Sequence, residues 1–174
     1  MTERCSRCAS IARRKTLAQT RWMTRKSWSA VTSEMKGKRM KIAVYRNGIV
    51  PTRAYPTDAG LDLYTPENVV VNGNSEIIID TQVAVEIPDG YVGLLTSKSG
   101  LMAKGITSRG TIDSSYRGHI RAVLFNHSNL PYYFERGMKI TQLVILPIIT
   151  PELEVVTELS ETERGKNGFG STGA

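Results

Sequence analysis

The chain contains little cysteine and little histidine. Cys5 and Cys8 are its two cysteines and His119 and His127 its two histidines, among 174 residues. A thiol nucleophile is therefore excluded from the chain beyond Cys8, and there are too few imidazoles for a histidine-rich zinc site. Cys5 and Cys8 form a CxxC motif without a second ligand pair, so a zinc knuckle is not predicted.

Long hydrophobic runs are also missing. No apolar run approaches the roughly 18 residues that a membrane-spanning helix needs, so no membrane partner is expected. Hydrophobic residues make up 40% of the chain and charged residues 22%, which is typical of a globular protein. A length of 174 residues accommodates one domain of ordinary size with a tail.

Positive charge is concentrated in residues 1–39. The formal net charge is +7, but residues 1–39 contain eleven Lys or Arg and only two acidic residues. The rest of the chain holds 12 basic and 14 acidic residues, so it is slightly acidic. A nucleic-acid partner is therefore not expected for the main domain, and any such partner would bind the basic leader, residues 1–39.

Three interpretations of this leader stay open. Rich in Arg, Ser and Thr and poor in acidic residues, it has the composition of an organellar transit peptide. With Trp22 and Trp28 for base stacking, it would also suit a nucleic-acid-binding arm. The favoured interpretation is a disordered tail or a mis-annotated start, because the codons for residues 36–39 readily form a purine run before Met40, as in a bacterial ribosome-binding site. We then expect a cytoplasmic protein of bacterial or phage type, with organellar targeting as the minor alternative.

From Met40 onward, short apolar runs alternate with turn residues, which predicts an all-β sandwich or barrel. Turn segments such as Asn47-Gly48 and Pro88-Asp89-Gly90 separate the runs. Helix is scarce, and residues 99–104 are the best helix candidate, with Ser99 as N-cap. The predicted strands are residues 41–45, 61–64, 68–71, 76–81, 83–87, 91–96, 119–126, 132–134, 139–149 and 153–157.

Five polar or glycine-rich segments interrupt the strand pattern. The first, residues 59–63, places Asp62 at the start of an apolar strand. The second, Ser97-Lys98-Ser99-Gly100-Leu101, offers a hydroxyl, a cation and backbone N–H groups, which suit a phosphate. The third, residues 110–118, holds Asp113 and Tyr116, and the fourth, residues 137–143, puts Gln142 inside an apolar strand.

The fifth segment is the glycine-rich C-terminus, residues 164–173. It contains one Phe, one Arg and two hydroxyl residues among its glycines, so it cannot bury a core and would ordinarily be a disordered end. The same residues suit a nucleotide, since Phe can stack on a base and Arg can neutralise phosphate. Taken singly, Asp62, Lys98-Ser99 and Gln142 also have plain structural explanations, as a turn carboxylate, a helix cap and an outward-facing strand residue.

In order and content, the five segments resemble the homotrimeric deoxyuridine triphosphatase (dUTPase) family, from about Met40 to Ala174. The resemblance implies an all-β, distorted jelly-roll β-barrel with one short helix over residues 40–158, followed by a flexible lid motif, residues 159–174. It also implies a homotrimer with shared active sites. The implied reaction is Mg²⁺-dependent hydrolysis of dUTP to dUMP and pyrophosphate, which keeps uracil out of DNA and supplies dUMP.

The resemblance also implies roles for individual residues around the triphosphate. Asp113 matches the carboxylate that activates the water attacking the α-phosphorus. Asp62 matches a carboxylate near the Mg²⁺, which is held mainly by the triphosphate and by waters. The residues that match the surroundings of the α- and β-phosphates are Lys98, Ser99, Gly100 and Gln142.

Further matches concern the base, the sugar and the lid. Tyr116 matches the ring that packs under the deoxyribose and leaves no space for a 2′-hydroxyl. Phe169 matches the ring that caps the uracil. The backbone segment that resembles the uracil reader consists of Gly110, Thr111 and Ile112, and the residues that would close over the γ-phosphate with Phe169 are Arg164, Gly170, Ser171 and Thr172.

The chain differs from the usual family pattern at several positions. Ser97-Lys98 stands where Pro-Arg is usual, Ser115 where many members have a second Asp, and Thr141 where Ala is usual. The segment before Gly110 is also shorter than the uracil-reading hairpin of many relatives.

The sequence leaves two alternative functions open. A dCTP deaminase of the same fold needs a Glu base beside the pyrimidine, and no Glu occurs between Glu86 and Glu135. A nucleotide-switched regulatory binding protein is the alternative from another class.

Overall fold

The computed structural model describes residues 39–168, so residues 1–38 of the leader and residues 169–174 of the lid motif lie outside the described residues. The described part contains ten strands and one helix of four residues, which confirms the predicted all-β fold. In chain order the elements are β1 (Lys41–Val44), β2 (Gly60–Tyr64), β3 (Val69–Val71), β4 (Ser75–Asp80), β5 (Val83–Glu86), β6 (Tyr91–Thr96), α1 (Ser99–Met102), β7 (Ile106–Ile112), β8 (Arg121–Asn126), β9 (Tyr132–Phe134) and β10 (Lys139–Pro147).

Six strands form one curled, half-barrel sheet in the order β2-β10-β6-β7-β8-β4. Two further pairs, β1 with β5 and β3 with β9, complete the distorted jelly-roll. β7 joins two parts of the large sheet, because Ile106 to Ser108 pair with β8 while Arg109 to Ile112 pair with β6. All pairings within this sheet are antiparallel.

A hydrophobic core holds these strands together. Burial of one large apolar side chain contributes about 1.5 to 3 kcal/mol to the free energy of unfolding, so a core of this size holds the strands firmly together. Its members come from strands β3, β4, β7, β8, β9 and β10 and from α1, and they are Val71, Ile79, Leu101, Ile106, Ala122, Leu124, Phe134 and Ile140.

Strand register places a polar row on one face of the large sheet. Gln142 on β10 lies opposite Asp62 on β2 and opposite Thr96 on β6. Thr96 in turn lies opposite Arg109 on β7. Residues directly opposite each other share a face, so these four side chains form one row across four strands. The neighbouring row on the other face is apolar and buried, and it includes Leu61, Leu143 and Leu95.

Two strand predictions are wrong. The pattern predicts no strand between residues 96 and 119, yet β7 occupies Ile106–Ile112, because pairing with neighbours on both sides outweighs the poor strand propensity of Ser108 and Gly110. Residues 153–157 show the predicted alternation but form no strand, and Leu153 and Val155 are 93% and 98% exposed. Among residues 39–168 no strand pairs with this stretch, and alternation alone does not form a strand without a partner.

The ends of two other elements also differ from the sequence pattern. The helix ends at Met102, its N-cap is Lys98 instead of Ser99, and the cap makes no side-chain hydrogen bond. β10 ends at Pro147, two residues before the predicted end. A proline has no N–H to continue the ladder, which explains where the strand stops.

Candidate active site

Asp62 is a buried carboxylate that two lysines contact. It is 3% exposed on β2. The Lys98 Nζ donates to Asp62 Oδ1, and the Lys139 Nζ donates to Asp62 Oδ2 at 2.7 Å. Burial alone would raise the pKa of Asp62, but the hydrogen bonds and charges of Lys139 and Lys98 outweigh it and hold the pKa below its ordinary value. Asp62 is therefore ionised at neutral pH.

Lys139 is a residue of this site that the sequence pattern does not reveal. It lies three residues before Gln142, so strict alternation would place the two side chains on opposite faces. A β-bulge between Lys139 and Thr141 shifts the register, and Lys139 lies opposite Tyr64 while Gln142 lies opposite Asp62. Lys139 and Gln142 consequently share the face that carries Asp62. The hydrogen bond to Asp62 raises the pKa of Lys139.

The Gln142 amide lies between two strands. Its Nε2 donates to the Ser97 backbone carbonyl at 3.3 Å. Its Oε1 lies against Gly60, where an added Cβ would overlap it. Glycine at position 60 therefore makes the space in which the Gln142 side chain is held beside Asp62.

The segment called here the 98–100 loop consists of Lys98, which caps α1, and of Ser99 and Gly100, the first two residues of α1. Ser99 and Gly100 are exposed. A Cβ on Gly100 would meet nothing within 4 Å, and the φ of Gly100 is not positive. Neither packing nor backbone strain among the described residues requires glycine there, so this loop leaves open space for a ligand to approach its backbone.

A second group of predicted residues lies at the end of β7. Asp113 follows the strand directly and is exposed, and its carbonyl accepts a hydrogen bond from the Tyr116 N–H at 3.1 Å. The Tyr116 hydroxyl donates to the His119 carbonyl at 3.0 Å. A Cβ on Gly118 would overlap this hydroxyl. The turn thus fixes the Tyr116 ring close to Asp113 and requires glycine at position 118 to do so.

Gly110, Thr111 and Ile112 lie in β7 with one edge of their backbone paired. They face Leu95, Leu94 and Gly93 of β6, whereas the pairing with β8 ends at Ser108. Among residues 39–168 the other edge of this segment has no strand partner. Its N–H and C=O groups can therefore serve a ligand, as the sequence resemblance implies.

The structure brings some of the predicted residues together and separates others. Asp62, Lys98 and Gln142 lie together on the polar face. Arg109 on β7 is the last member of the polar row. Asp113 lies four residues further along the chain, which is about 13 Å from Arg109 at the usual rise of a strand. Within one chain, the lysine-bordered carboxylate and the Asp113–Tyr116 turn are thus two separate clusters.

Arg164 belongs to the predicted lid and lies at the end of the described part of the chain. It is exposed, and its Nε donates to the Asn167 carbonyl at 3.1 Å. The other predicted lid residues, Phe169, Gly170, Ser171 and Thr172, lie outside the described residues. Their role stays a prediction.

Residues 39–168 contain neither a cluster of metal ligands nor a membrane-spanning helix. Within this range, no three or more His, Cys, Asp or Glu side chains are grouped so that they could hold a metal ion. No helix in the same range is long and apolar enough to cross a membrane.

The fold and these two clusters define an all-β protein with cations and backbone amides at its surface, the groups that suit an anionic ligand. A family model described as dUTPase matches residues 46–173. This chain belongs to the dUTPase family.

Individual relatives agree with this assignment. The deoxyuridine 5′-triphosphate nucleotidohydrolase of Clostridium tetani is 42% identical over 128 residues, which cover 71% of this chain and 88% of the relative. The dUTPase of Staphylococcus bacteriophage 80alpha, solved with dUPNHPP, has 36% identity and a TM-score of 0.73, covering 78% of this chain and 99% of that chain. A mutant dUTPase from phage phi11 of S. aureus, solved with a structural Mg(II) ion, has 34% identity and a TM-score of 0.65, covering 70% of this chain and 98% of that chain.

Proposed function

We propose that this protein hydrolyses dUTP to dUMP and pyrophosphate, with Mg²⁺ as cofactor and Asp113 as the group that activates water. The observation that carries the proposal is the match of one family model to residues 46–173, a range that contains all five polar segments. Membership of this family makes the protein a dUTP nucleotidohydrolase. In a cell it would keep uracil out of DNA and supply dUMP.

The polar face around Asp62 supports a role in triphosphate binding. Asp62 holds Lys98 and Lys139 in place before any ligand arrives, so little reorganisation is needed when phosphate oxygens approach. The exposed Ser99 hydroxyl and Gly100 amide provide further hydrogen-bond donors at the same loop. Gln142 completes this group with a side-chain amide.

Mg²⁺ fits this site as an ion held mainly by the triphosphate and by waters. Mg²⁺ usually keeps several waters and takes only one or two protein carboxylates. Both Asp62 oxygens already accept hydrogen bonds from lysine, so Asp62 is suited to receive hydrogen bonds from metal-bound waters and not to bind the ion directly. When bound, the ion would supply charge neutralisation along the triphosphate. The phage phi11 relative contains a structural Mg(II) ion.

In this proposal Asp113 acts as the general base. Its carboxylate is exposed at the end of β7, where a water and a substrate can both reach it. In the proposed step the water oxygen forms a bond to the α-phosphorus, the water proton passes to the Asp113 carboxylate, and the bond from the α-phosphorus to the bridging oxygen breaks. Pyrophosphate leaves and dUMP remains.

Recognition of base and sugar is assigned to the neighbouring segment. The free backbone edge of Gly110, Thr111 and Ile112 would read the uracil by hydrogen bonds, which rejects a wrong base strongly because a mismatch leaves buried polar groups unpaired. Tyr116, fixed by its hydrogen bond to the His119 carbonyl, would support the deoxyribose. Phe169 would cap the base from the lid.

Two observations support a homotrimer with shared active sites. In one chain the Asp62 cluster and the Asp113 turn are separate, so a complete site needs residues of a second subunit. The C-terminal segment also exposes a series of large apolar side chains, which is typical of a surface that another chain covers. They are Ile148, Ile149, Leu153, Val155, Val156 and Leu159.

We also propose a cytoplasmic location. The relatives reported above belong to a bacterium and to phages of bacteria, and dUTP is an intracellular nucleotide.

Pyrophosphate release from dUTP, dCTP, dTTP and UTP in the presence of Mg²⁺ tests this function. We expect release from dUTP only. Asp113→Asn should slow pyrophosphate release from dUTP by about two or more orders of magnitude, which is the usual contribution of a positioned base to the rate. The affinity of this variant for dUPNHPP should stay within about tenfold of the wild-type value. Asp89→Asn, which changes another exposed turn carboxylate, is the matched control and should leave the rate unchanged.

Other results would overturn the proposal. Ammonia release from dCTP would identify a deaminase. Binding of dUPNHPP without pyrophosphate release from dUTP would identify a nucleotide-switched regulatory protein. Normal turnover by Asp113→Asn would move the role of the base to another residue.

A further inference from the structure

Three hydroxyl side chains lie directly behind the 98–100 loop and form one hydrogen-bonded group, called here the hydroxyl cluster. Its members are Ser97, which follows β6, Ser108 on β7 and Thr141 on β10. The Ser97 Oγ accepts from the Ser108 N–H at 2.8 Å and donates to the Ser108 carbonyl at 3.0 Å. The Ser108 and Thr141 hydroxyls lie 2.6 Å apart.

The direction of the bond between Ser108 and Thr141 follows from the number of available protons. The Thr141 hydroxyl donates its single proton to the Thr96 carbonyl at 3.0 Å. The Ser108 hydroxyl must therefore donate to Thr141. Ser108 and Thr141 are 6% and 0% exposed, so neither can touch a substrate, and each hydroxyl in the cluster has a partner.

The Ser97 hydroxyl extends the ladder between β6 and β7 by one pair. The last regular pair is Thr96 with Arg109, so the next position would pair Ser97 with Ser108. There the Ser97 side chain makes both bonds that a backbone N–H and C=O would make. The Ser97 carbonyl is left to accept from the Gln142 side chain at 3.3 Å. A proline at this position would have no hydroxyl and could make neither bond to Ser108.

Thr141 and Ser108 depend on each other in the same way. With Ala at position 141, the buried Ser108 hydroxyl would lose its acceptor, which costs stability. Thr141 and Ser97 thus both bond to one residue, Ser108.

We propose that Ser97, Ser108 and Thr141 are positioning residues, which fix the 98–100 loop for the triphosphate by tying it to β7 and β10. The inference rests on the proposed role of the 98–100 loop in phosphate binding. Ser97 precedes Lys98 directly and bonds to Ser108, which in turn bonds to Thr141, so two strands of the sheet hold the start of the loop through one buried group.

Matched threonine substitutions test the proposal. Thr141→Val removes the cluster hydroxyl without changing shape, and Thr81→Val is its control. Thr81 is also 0% exposed, and its hydroxyl also makes two hydrogen bonds, with the Ile120 carbonyl at 2.8 Å and the Val83 N–H at 3.3 Å. Both variants should lower the melting temperature. Thr141→Val alone should weaken dUPNHPP binding and raise KM for dUTP, each by about tenfold, because a displaced loop loses well-oriented contacts.

Further variants separate positioning from general destabilisation. Ser97→Ala should weaken dUPNHPP binding as Thr141→Val does, and Ser97→Thr, which keeps the hydroxyl, should restore it. The affinity for deoxyuridine, which has no phosphate, should change less than about twofold in all of them.

Three results would overturn the inference. If Thr141→Val and Thr81→Val lower the melting temperature alike and both keep normal dUPNHPP affinity, the hydroxyl cluster only stabilises the fold. If Lys98→Ala weakens dUPNHPP binding while Ser97→Ala does not, the loop binds phosphate but the cluster does not position it. If Lys98→Ala also binds dUPNHPP normally, both the proposed role of the loop and this inference are wrong.

Discussion

At the scale of single residues, Asp62 holds the two lysines of the proposed phosphate site. A buried carboxylate is costly unless it is paired, and Asp62 receives one lysine on each oxygen. Both lysines remain partly exposed, so they can reach from the carboxylate toward a ligand. Asp62 thus keeps two cations at the surface in a fixed place, which is a more specific role than the turn carboxylate that its sequence context would also allow.

The ion pairs of Asp62 predict a pH dependence of stability. The folded pKa of Asp62 lies below 3.8, so its pairs stabilise the fold above that pH, and this contribution is lost as the pH falls through the folded pKa. The folded pKa of Lys139 lies above 10.5, so its contribution is present below that value and is lost as the pH rises through the folded pKa.

Asp62→Asn removes both contributions. The difference in melting temperature between wild type and this variant should be largest at pH values between the folded pKa of Asp62 and that of Lys139. It should shrink in acid and in alkali. Thermal unfolding over a pH series measures it, with Asp89→Asn as a control that shows little difference at any pH. A difference for Asp62→Asn that does not vary with pH would contradict the assignment of the ion pairs.

At the scale of elements, the turn after β7 holds Tyr116 through a contact that only glycine permits. Gly118→Ala would push the Tyr116 hydroxyl away from the His119 carbonyl, because the new Cβ would overlap it. We expect KM for dUTP to rise about tenfold and the preference for dUTP over UTP to fall, as the ring no longer closes the space of a 2′-hydroxyl. Steady-state kinetics with both nucleotides measure the effect.

Tyr116→Phe is the control for this turn. It removes the same hydrogen bond but keeps the ring and adds no atom, so it should change the preference for dUTP over UTP less than Gly118→Ala does. If Gly118→Ala keeps the wild-type preference, the Tyr116 ring is not what excludes the 2′-hydroxyl.

Elements also show how far the sequence could predict the structure. Most strands follow from short apolar runs between turn residues, and Asp62, Lys98 and Gln142 meet because their strands pair as the family pattern implies. Lys139 could not be found by alternation, since a β-bulge changes its face. The local sequence does not predict β7, because Ser108 and Gly110 are poor strand formers. They become strand residues only through pairing with β8 and β6.

At the scale of the whole molecule, residues 164–168, the last described residues of the predicted lid, contribute no side chain to the core. They are exposed, and within the described part of the chain Arg164 and Gly165 make hydrogen bonds only among residues 162–167. Deleting residues 164–174 should therefore leave the oligomer and the melting temperature nearly unchanged. The same deletion should remove most of the activity, because Phe169 and Arg164 would no longer cover the base and the γ-phosphate.

Size-exclusion chromatography with light scattering, thermal unfolding and pyrophosphate release measure these three properties. A truncated protein that turns over dUTP at the wild-type rate would show that the segment is not a lid. A truncated protein that does not assemble would show that the segment is part of the interface.

The most direct test concerns the proposal that two subunits complete each active site. Asp113→Asn and Asp62→Asn homotrimers should each be inactive. Co-expressed in equal amounts and purified as mixed trimers, they should regain about a quarter of the wild-type activity, because random mixing gives that share of sites an intact Asp62 from one subunit and an intact Asp113 from another. Mixed trimers that stay as inactive as the parents would contradict the shared site, since they would place Asp62 and Asp113 of each site on the same chain.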